Sequence, residues 1–259
     1  MVSVVYNGQA GNNLFQYFLG RCIAKEKGYG LTGSYGVKQV NTVDLKKNIL
    51  LFNGIKLPKI IEGKNIRQPI KKFNKHIFDW SFVKNNESQI VLDGYFQNYS
   101  FYKKYKNFIK KEIWSHNNIF NIKERPGEKD IVLHLRLKEY PYITPIKFYS
   151  DILKKENYEN AWIITDDHTH SFIKILIGKY GCKIKNTSSE NGFLFLANAK
   201  KIIMSQSTFC WWAAFISQAD IIYFPTVTTQ SKGAIWYTNP QRNVDLFVDD
   251  EKRYKKIEL

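Results

Sequence analysis

A polar turn precedes the most aromatic helix that the sequence predicts. The stretch MSQSTFCWWAAF, residues 204–215, places Ser205, Ser207 and Thr208 between an apolar strand candidate and a run of apolar residues typical of a helix. Because a helix N terminus carries unpaired N–H groups and the positive end of the helix dipole, hydroxyl groups at this point predict an anion site, in particular a phosphate site. The alternative is that Ser207 only caps the helix. We interpret the adjacent tryptophan pair as core that fixes the helix in place.

A second group of candidate residues lies on the strand candidate IVLHL and directly after it. Alternation along a strand puts His134 and Arg136 on the same side, followed by Lys138. A strand buried in a parallel sheet is normally apolar on both faces, so a charged side near the end of the strand indicates a charged ligand. The alternative is a solvated strand face that binds nothing.

A third group follows the strand candidate AWIIT. Asp166 and Asp167 come directly after it, where an acidic residue can accept hydrogen bonds from a ribose or a base edge. The alternative is that Asp166, or Thr165 before it, caps the helix that follows.

All three groups lie in a half of the chain that alternates strand and helix candidates. In order, these are DIVLHLRL, a helix near PIKFYSDILKKE, AWIIT, a helix through HSFIKILIGKYG, KKIIMS, the tryptophan helix and DIIYFP. Alternation of this kind predicts an α/β fold with a parallel sheet covered on both faces. Ligands of such sheets bind beyond the carboxyl ends of the strands, where the candidate residues lie.

The first half of the chain opens with another strand, glycine turn and helix, from VSVVY to KEKGYG. The polar segment ERPGEKD, residues 124–130, separates this half from the second, and we expect domains over residues 1–127 and 128–259. Aromatic residues in FYKKYKNFIKKEIW recur at helical spacing, which is typical of core. The alternative is an aromatic and lysine-rich surface that stacks nucleic-acid bases.

Composition limits the class of protein. The formal net charge is +16, but only six of the 39 basic residues are arginines, the residue that base readout and bidentate phosphate binding favour. We therefore interpret the charge mainly as a solvated surface and expect no nucleic-acid partner. No apolar stretch approaches the roughly 20 residues of a membrane span, and the N-terminal residues lack the pattern of a secretion signal. We expect a cytoplasmic protein, with peripheral contact at the anionic inner face of a membrane left open.

Metal and disulfide chemistry have little support in the sequence. The three cysteines are far apart, with no C-x-x-C pair and no cluster of histidines. We expect reduced, buried thiols and no bound metal.

Several stretches occur in an order that carries a family resemblance. They are GQAGNNLFQYFLGRCIA, VLDGYFQNYSFY, VLHLRLKEY, WIITDD and FLFLANAKKIIMSQSTFCWWAAF. Over about residues 4–225 the chain resembles the α-1,2-fucosyltransferases of glycosyltransferase family 11. The family motif G-G-L-G-N-Q-M-F-Q-Y is matched at Gly8, Gly11, Asn12, Phe15, Gln16 and Tyr17, while GYFQ at 94–97 is identical to the family's. The family's N-S-S-F-S-W-W-G-A is matched by Gln206 to Ala214 as Q-S-T-F-C-W-W-A-A.

The largest departure lies in the family motif H-x-R-R-G-D-Y, which reads H-L-R-L-K-E-Y here. His134 and Arg136 are kept, Leu137 replaces the second arginine, and Glu139 replaces the aspartate. The resemblance implies that the arginine contacts the diphosphate of GDP-fucose, that the histidine and a strand-end aspartate hold the nucleoside, and that the serine turn binds phosphate. The donor-binding residues implied in this way are Gly11, Asn12, His134, Arg136, Asp166, Asp167, Ser205, Ser207 and Thr208.

The resemblance implies a GT-B fold, in which two Rossmann-like domains face each other across a cleft, with the acceptor largely on the first and the donor on the second. We expect an inverting transfer of L-fucose from GDP-fucose to a glycan hydroxyl, with Arg136 and Glu139 as the candidate catalytic residues. Since the sequence has no D-x-D, and Arg136 with a helix N terminus can stabilise a departing diphosphate, we expect neither metal nor cofactor. Three alternatives stay open: transfer from another nucleotide sugar, a basic nucleic-acid-binding protein, and a glycan-binding relative without catalysis.

Overall fold

The structure is a computed structural model, and it describes residues 1–35, 59–60, 71–75, 78–84, 89–115, 124–138, 143–226, 238–239 and 244–259. The chain divides into two compact units. Unit 1 contains Met1–Asn117 and Asn239–Leu246, and unit 2 contains Asn118–Thr238 and Phe247–Leu259. The Pro-Gly segment is tied to unit 2, because Asp130 at its end accepts hydrogen bonds from Asn160 Nδ2 at 2.9 Å and Trp162 Nε1 at 2.8 Å. The linear domain boundary between residues 127 and 128 stays a prediction.

Unit 1 is an α/β unit with an all-parallel sheet. Its elements are β1 (Val2–Tyr6), α1 (Ala10–Lys27), β2 (Leu31–Tyr35), β3 (Lys59–Ile60), β4 (Lys71–Lys75), α2 (Trp80–Lys84), β5 (Ile90–Gly94), α3 (Ser100–Lys103) and α4 (Lys106–Ser115). The strand order is β3-β2-β1-β5-β4, and every pairing is parallel. The predicted opening strand and helix are confirmed.

Helix α1 lies directly on the sheet of unit 1. A Cβ atom at Gly20 would come within 2.7 Å of Val4 Cγ2 and 2.8 Å of Leu31 Cδ1, so the absence of a side chain permits this close approach. The helix ends at Gly28, whose left-handed conformation (φ 66°) suits a residue without Cβ. Glycine residues thus determine how closely α1 approaches the sheet and where the helix ends.

Four of the five residues that helical spacing selected in FYKKYKNFIKKEIW form core, and the fifth, Phe108, is half-buried. Phe101, Tyr102, Tyr105 and Ile109 are buried, whereas Lys103 is exposed. The prediction placed all of them on one helix, but the chain forms two short helices. The buried aromatic rings are not available to stack on bases.

Unit 2 contains the second parallel sheet. Its elements are β6 (Ile131–Leu135), α5 (Ile146–Lys155), β7 (Ala161–Thr165), α6 (Ser171–Tyr180), β8 (Lys183–Ile184), α7 (Ser189–Ala197), β9 (Lys201–Ile203), α8 (Thr208–Ile216), β10 (Ile221–Thr226) and β13 (Tyr254–Glu258). The strand order is β13-β10-β9-β6-β7-β8, again all parallel. Between β10 and β13 in sequence, β11 (Thr238–Asn239) and β12 (Val244–Asp245) form a two-stranded sheet.

One apolar face of β6 contributes to the core of unit 2. Leu133, Leu135 and Leu137 belong to one buried cluster that includes Phe148 and Ile152 of α5. The alternation expected along IVLHLRL is therefore present in the structure, with the leucines on the core side. Among the helices of the described residues, none combines the length and apolarity required to cross a bilayer.

Candidate active site in the second unit

Strands β9, β6 and β7 are neighbours and parallel, so their carboxyl ends meet at one edge of the sheet. Leu133 pairs with Ile203, and Leu135 pairs with Thr165. This register places the residues that follow each strand next to one another. The three groups of polar residues singled out in the sequence are therefore neighbours in the structure.

His134 is a buried polar side chain at this edge. It is 6% exposed, and its Nδ1 lies 2.6 Å from the hydroxyl oxygen of Ser205, which joins the end of β6 to the end of β9. Tyr149 on α5 donates a hydrogen bond to the His134 carbonyl at 3.1 Å. All five residues of β6 are buried, so the alternative of a solvated strand face is wrong for His134, whereas Arg136 and Lys138 follow the strand and are partly exposed and exposed, respectively.

Burial lowers the pKa of His134 to about 4. The cause is loss of hydration of the charged form, aided by the positive charge of Arg136 and opposed by the negative charge of Asp166. At neutral pH the imidazole is uncharged. The imidazole can therefore form its hydrogen bond with Ser205 without placing a buried charge in the site.

Arg136 is more accessible than His134 and is held from one side. Its Nη1 lies 2.6 Å from Asp166 Oδ2, and the two side chains are 27% and 22% exposed. Asp166 also accepts hydrogen bonds from the backbone amides of Leu137 at 2.8 Å and Lys138 at 3.3 Å. Asp166 thus fixes both the arginine and the backbone that follows it.

The two aspartates after β7 differ in what they bind. The carboxylate of Asp167 accepts hydrogen bonds from the amide and the hydroxyl of Thr169, at 2.8 and 2.7 Å, so it forms a local turn. Neither Asp166 nor Thr165 caps α6, because that helix begins at Ser171 and His170 accepts the capping bond from the Phe172 amide. The capping alternative is wrong, and contacts of the aspartates with a nucleoside stay a prediction.

The polar turn lies between β9 and α8, as expected. Ser207 is the N-cap residue and is extended (φ −145°, ψ 128°), but its side chain makes no capping hydrogen bond, and no acidic residue lies in the first turn of α8. The alternative that the Ser207 side chain serves as a helix cap is therefore wrong. Ser207 and Thr208 are both partly exposed. The first-turn N–H groups of α8 thus end near hydroxyl groups that solvent reaches.

Gln206 is a polar residue of this turn that the sequence analysis did not select. It is 2% exposed, and neither its Nε2 nor its Oε1 has a hydrogen-bond partner in the part of the chain that the structure describes. Only its backbone amide is bound, to the Thr144 hydroxyl at 3.3 Å. The one available signal was its place in the motif, where it matches the asparagine of N-S-S-F. An unpaired buried carboxamide is costly and calls for a ligand or water as partner.

The tryptophan pair is scaffold, as predicted. Trp211 and Trp212 are both fully buried, and Trp211 stacks on Phe215 with centroids 4.8 Å apart and planes 10° apart. Every residue of α8 from Cys210 to Ile216 is buried. The rings therefore hold the helix in position and do not line an open surface.

Gly11 and Asn12 belong to unit 1, at the start of α1. Asn12 accepts a hydrogen bond from Gln97 Nε2 at 2.9 Å. Gly8 precedes them with φ 79°, and a Cβ there would lie 2.3 Å from Asn12 Nδ2, so the loop requires glycine on both counts. A role for Gly11 and Asn12 in donor binding stays a prediction. Glu139 lies outside the described residues.

The cavity found in unit 2 does not lie at this edge of the sheet. A cavity of about 390 Å³ lies between α5 and strands β10 and β13, lined by Phe148, Ile152, Tyr223 and Ile257 among others, and none of the predicted site residues lines it. Among the described residues, no group of three His, Cys, Asp or Glu side chains could hold a metal ion. The expectation of a metal-free site stays a prediction.

Comparisons with known proteins identify the fold. No protein-family model matches the chain, and no curated protein sequence matches it significantly. Among solved structures, the chain is similar to the E. coli heptosyltransferase WaaC with ADP, at 10% identity and a TM-score of 0.52, over 99% of this chain and 92% of that one. It is also similar to the E. coli ADP-heptose lipopolysaccharide heptosyltransferase II, at 12% identity and a TM-score of 0.50, over 99% and 89% of the two chains. The chain therefore has the GT-B fold with Rossmann-like domains, which confirms the predicted fold class.

Proposed function

We propose that this protein is an inverting glycosyltransferase that transfers L-fucose from GDP-fucose to a hydroxyl group of a glycan. The observation that carries the proposal is the N terminus of α8, where the buried Gln206 carboxamide has no partner in the described part of the chain and Ser207 makes no capping bond. The positive end of a helix dipole favours an anionic group such as a diphosphate. The GT-B fold and the family 11 resemblance support a nucleotide sugar as the source of that group.

The diphosphate would be bound from two sides. Arg136 supplies a permanent positive charge and a forked set of donors, and its link to Asp166 limits how far the side chain can move. Helix α8 supplies fixed N–H dipoles, with the hydroxyl groups of Ser207 and Thr208 beside them. His134 is neutral and bound to Ser205, so it orients the turn without adding charge.

In the transfer step, the bond between fucose C1 and the β-phosphate oxygen breaks, and a bond forms between C1 and the acceptor oxygen. The electron pair of the broken bond stays on GDP, and the acceptor hydroxyl loses its proton to a base. Negative charge therefore grows on the diphosphate, where Arg136 and the α8 dipoles stabilise it more in the transition state than in the ground state. Displacement through an oxocarbenium-like transition state inverts the anomeric configuration.

Glu139 is our candidate for the base, on its position in the motif alone. A positioned general base typically contributes about 10²- to 10⁴-fold to the rate. Glu139→Gln should lower turnover by that order and leave the affinity for GDP nearly unchanged. Unchanged turnover in the variant would exclude Glu139 from the reaction.

A ligand panel tests the proposal directly. Thermal unfolding is measured with GDP, GDP-fucose, GDP-mannose, UDP-glucose and an ADP-sugar, the last because the two structural relatives are described with ADP and ADP-heptose. A ligand at 100 times its dissociation constant adds about 2.7 kcal/mol to the free energy of unfolding. GDP and GDP-fucose should stabilise the protein most. If another nucleotide sugar stabilises the protein most, that sugar is the donor in place of GDP-fucose. Binding without turnover would indicate a non-catalytic relative. The absence of any stabilisation would contradict the proposal.

A matched pair of substitutions tests the role of Gln206 in the same assay. Gln206→Leu removes a buried polar group without partner, so the protein without ligand should become more stable, by about 1 to 3 kcal/mol, while its affinity for GDP falls. The control is Gln97→Leu, since Gln97 is equally buried but donates to Asn12, and this variant should lose stability. Unchanged GDP affinity in Gln206→Leu would remove Gln206 from the donor site.

A further inference from the structure

The positive charge of the chain is concentrated in unit 1. Unit 1 contains 20 lysine and arginine residues against 8 aspartate and glutamate residues, a formal charge of +12. Unit 2, which holds the candidate active site, contains 19 against 15, a formal charge of +4. Binding of an anionic donor in unit 2 therefore leaves most of the charge unexplained.

Part of this charge forms one surface, which we call the basic helical surface. It consists of exposed residues on and beside the helices of unit 1, namely Lys25, Lys84, Lys103, Lys104, Lys111 and Trp114. Residues 100–115 alone carry five lysines and one glutamate.

Contacts join the helices that carry these residues. Lys25 Nζ lies 4.8 Å from the centre of the Phe108 ring, which joins the end of α1 to α4. Lys27 Nζ donates to the Lys84 carbonyl at 3.1 Å, which joins α1 to the end of α2. Lys104 Nζ donates to Glu26 at 3.1 Å. These contacts make α1 a neighbour of α2, of α4 and of the residue that follows α3, so the lysines of the surface lie on adjoining elements of unit 1.

The acidic groups on these elements are already engaged by neighbours. Glu26 binds Lys104 and Tyr105, and hydrogen bonds from these two residues lower its pKa. Glu112 forms an ion pair with Arg21. Asp79, just before α2, binds Ser81. The surface therefore keeps an excess of positive charge.

We propose that the basic helical surface binds the anionic headgroups of a lipid bilayer. Lysine side chains are flexible point charges that suit a diffuse layer of phosphate groups and need no directional fork. The exposed indole of Trp114 follows Lys111 by one helical turn, and Trp is favoured at the boundary between headgroups and acyl chains.

The same residues argue against nucleic acid as the partner. Arg21, the arginine on these helices, is bound to Glu112. Three aromatic rings of this stretch, those of Phe101, Tyr102 and Tyr105, are buried, and the half-buried Phe108 ring lies beneath Lys25. A surface of lysines that exposes the single indole of Trp114 lacks the row of rings on which successive bases would stack, so it fits a charged plane better than a nucleic-acid strand.

Vesicle binding by matched variants tests the proposal. Binding is measured to vesicles of phosphatidylcholine alone and of phosphatidylcholine with an equal amount of phosphatidylglycerol, for the full chain and two triple variants. The first combines Lys84→Gln, Lys103→Gln and Lys111→Gln in unit 1. The second, with the same loss of charge, combines Lys174→Gln, Lys252→Gln and Lys255→Gln at exposed positions of unit 2.

The unchanged protein should bind the anionic vesicles, release them as salt is raised, and ignore the neutral ones. The unit 1 variant should bind about a hundredfold more weakly, and the unit 2 variant should stay within about threefold of the unchanged protein. The proposal would be overturned if the two variants lost equal affinity or if the unchanged protein did not bind vesicles. It would also be overturned if RNA or an acidic polysaccharide displaced the protein from the vesicles at a concentration lower than that of the lipid.

If the unit 1 triple variant does not fold, the three single substitutions replace it, and each should weaken binding about fivefold. Nucleotide-sugar stabilisation, measured on the same samples, separates the two proposals. Vesicle binding without donor binding leaves this inference intact and contradicts the proposed function.

Discussion

At the residue scale, His134 and Arg136 are two positions apart but differ in solvent access. His134 is 6% exposed and neutral, whereas the Arg136 side chain is 27% exposed and charged. Their partners differ accordingly, a serine hydroxyl for the histidine and a carboxylate for the arginine. The two side chains therefore respond to different perturbations.

The buried imidazole predicts a dependence of stability on pH. The pKa of His134 is about 4 in the folded protein and near 6.5 when unfolded, so the unfolded state binds the proton more tightly. The contribution of neutral His134 to the free energy of unfolding is therefore complete above about pH 6.5, and it is lost as the pH falls toward 4. At pH 5 the unchanged protein should have lost about 2 kcal/mol relative to pH 7 through this group. Urea unfolding at both pH values, with His134→Gln as the reference, measures it; an equal pH effect in that variant would contradict the assignment.

Substitution of the arginine separates charge from geometry. Arg136→Lys keeps a positive charge but loses the fork, so turnover should fall tenfold or more, and Arg136→Ala should fall further. Ser207→Ala with Thr208→Val should weaken GDP binding, and combination with Arg136→Lys should depart from additivity because both sets of groups act on one diphosphate. Steady-state kinetics and GDP titration measure these effects. Additive losses with unchanged GDP affinity would mean that the turn does not bind the ligand.

The adjacent aspartates form a matched pair. Asp166→Asn weakens the acceptor for Arg136 and for two backbone amides, so GDP affinity and turnover should both fall about tenfold or more. Asp167→Asn affects only the turn with Thr169 and should change either quantity by less than about threefold. A larger loss in Asp167→Asn would show that this carboxylate contacts the donor, as the family resemblance implies.

At the element scale, α8 positions the site because it is buried on every side. Trp212→Ala should lower the free energy of unfolding by about 3 to 5 kcal/mol, the usual effect of deleting a large buried ring. Chemical denaturation measures the change, with Trp212→Phe as a milder variant that should lose less. A stable Trp212→Ala protein that has lost only acceptor binding would assign the ring to the substrate.

Elements differed in how well their sequence predicted them. Strands β6, β7, β9 and β10 of unit 2 were predicted, since their apolar runs are short and bounded by polar residues, whereas the two-residue strand β8 was not. Helix α7 was missed because SENGFLFLA has a continuous apolar run without a helical period. Strand β13 was missed because three of its five residues, Lys255, Lys256 and Glu258, are charged, and it lies at the edge of the sheet.

The sequence predicted which residues form the site but not which of them contact one another. Alternation and strand ends select His134, Arg136, Asp166 and the serine turn. Their pairing depends on the register of β6 against β7 and β9, which one sequence does not contain. The burial of Gln206 was inaccessible for the same reason, since it results from the packing of the turn and not from its neighbours in sequence.

At the scale of the whole molecule, both proposals are electrostatic. Unit 2 would stabilise the leaving group with Arg136 and a helix dipole, so activity should survive chelation. Transfer assays with and without EDTA, followed by added magnesium or manganese, measure this. Loss of turnover with EDTA and its recovery with metal would contradict the proposed mechanism.

The core position of Leu137 limits which residues the chain can accept there. The family motif has an arginine there, but in this chain the side chain is 6% exposed and belongs to the cluster around β6. Leu137→Arg would bury an unpaired charge, at a cost of several kcal/mol, unless residues of α5 were substituted as well. The residue at this position is therefore constrained by the packing of unit 2, so a Leu137→Arg protein should fail in folding before any effect on activity could be measured.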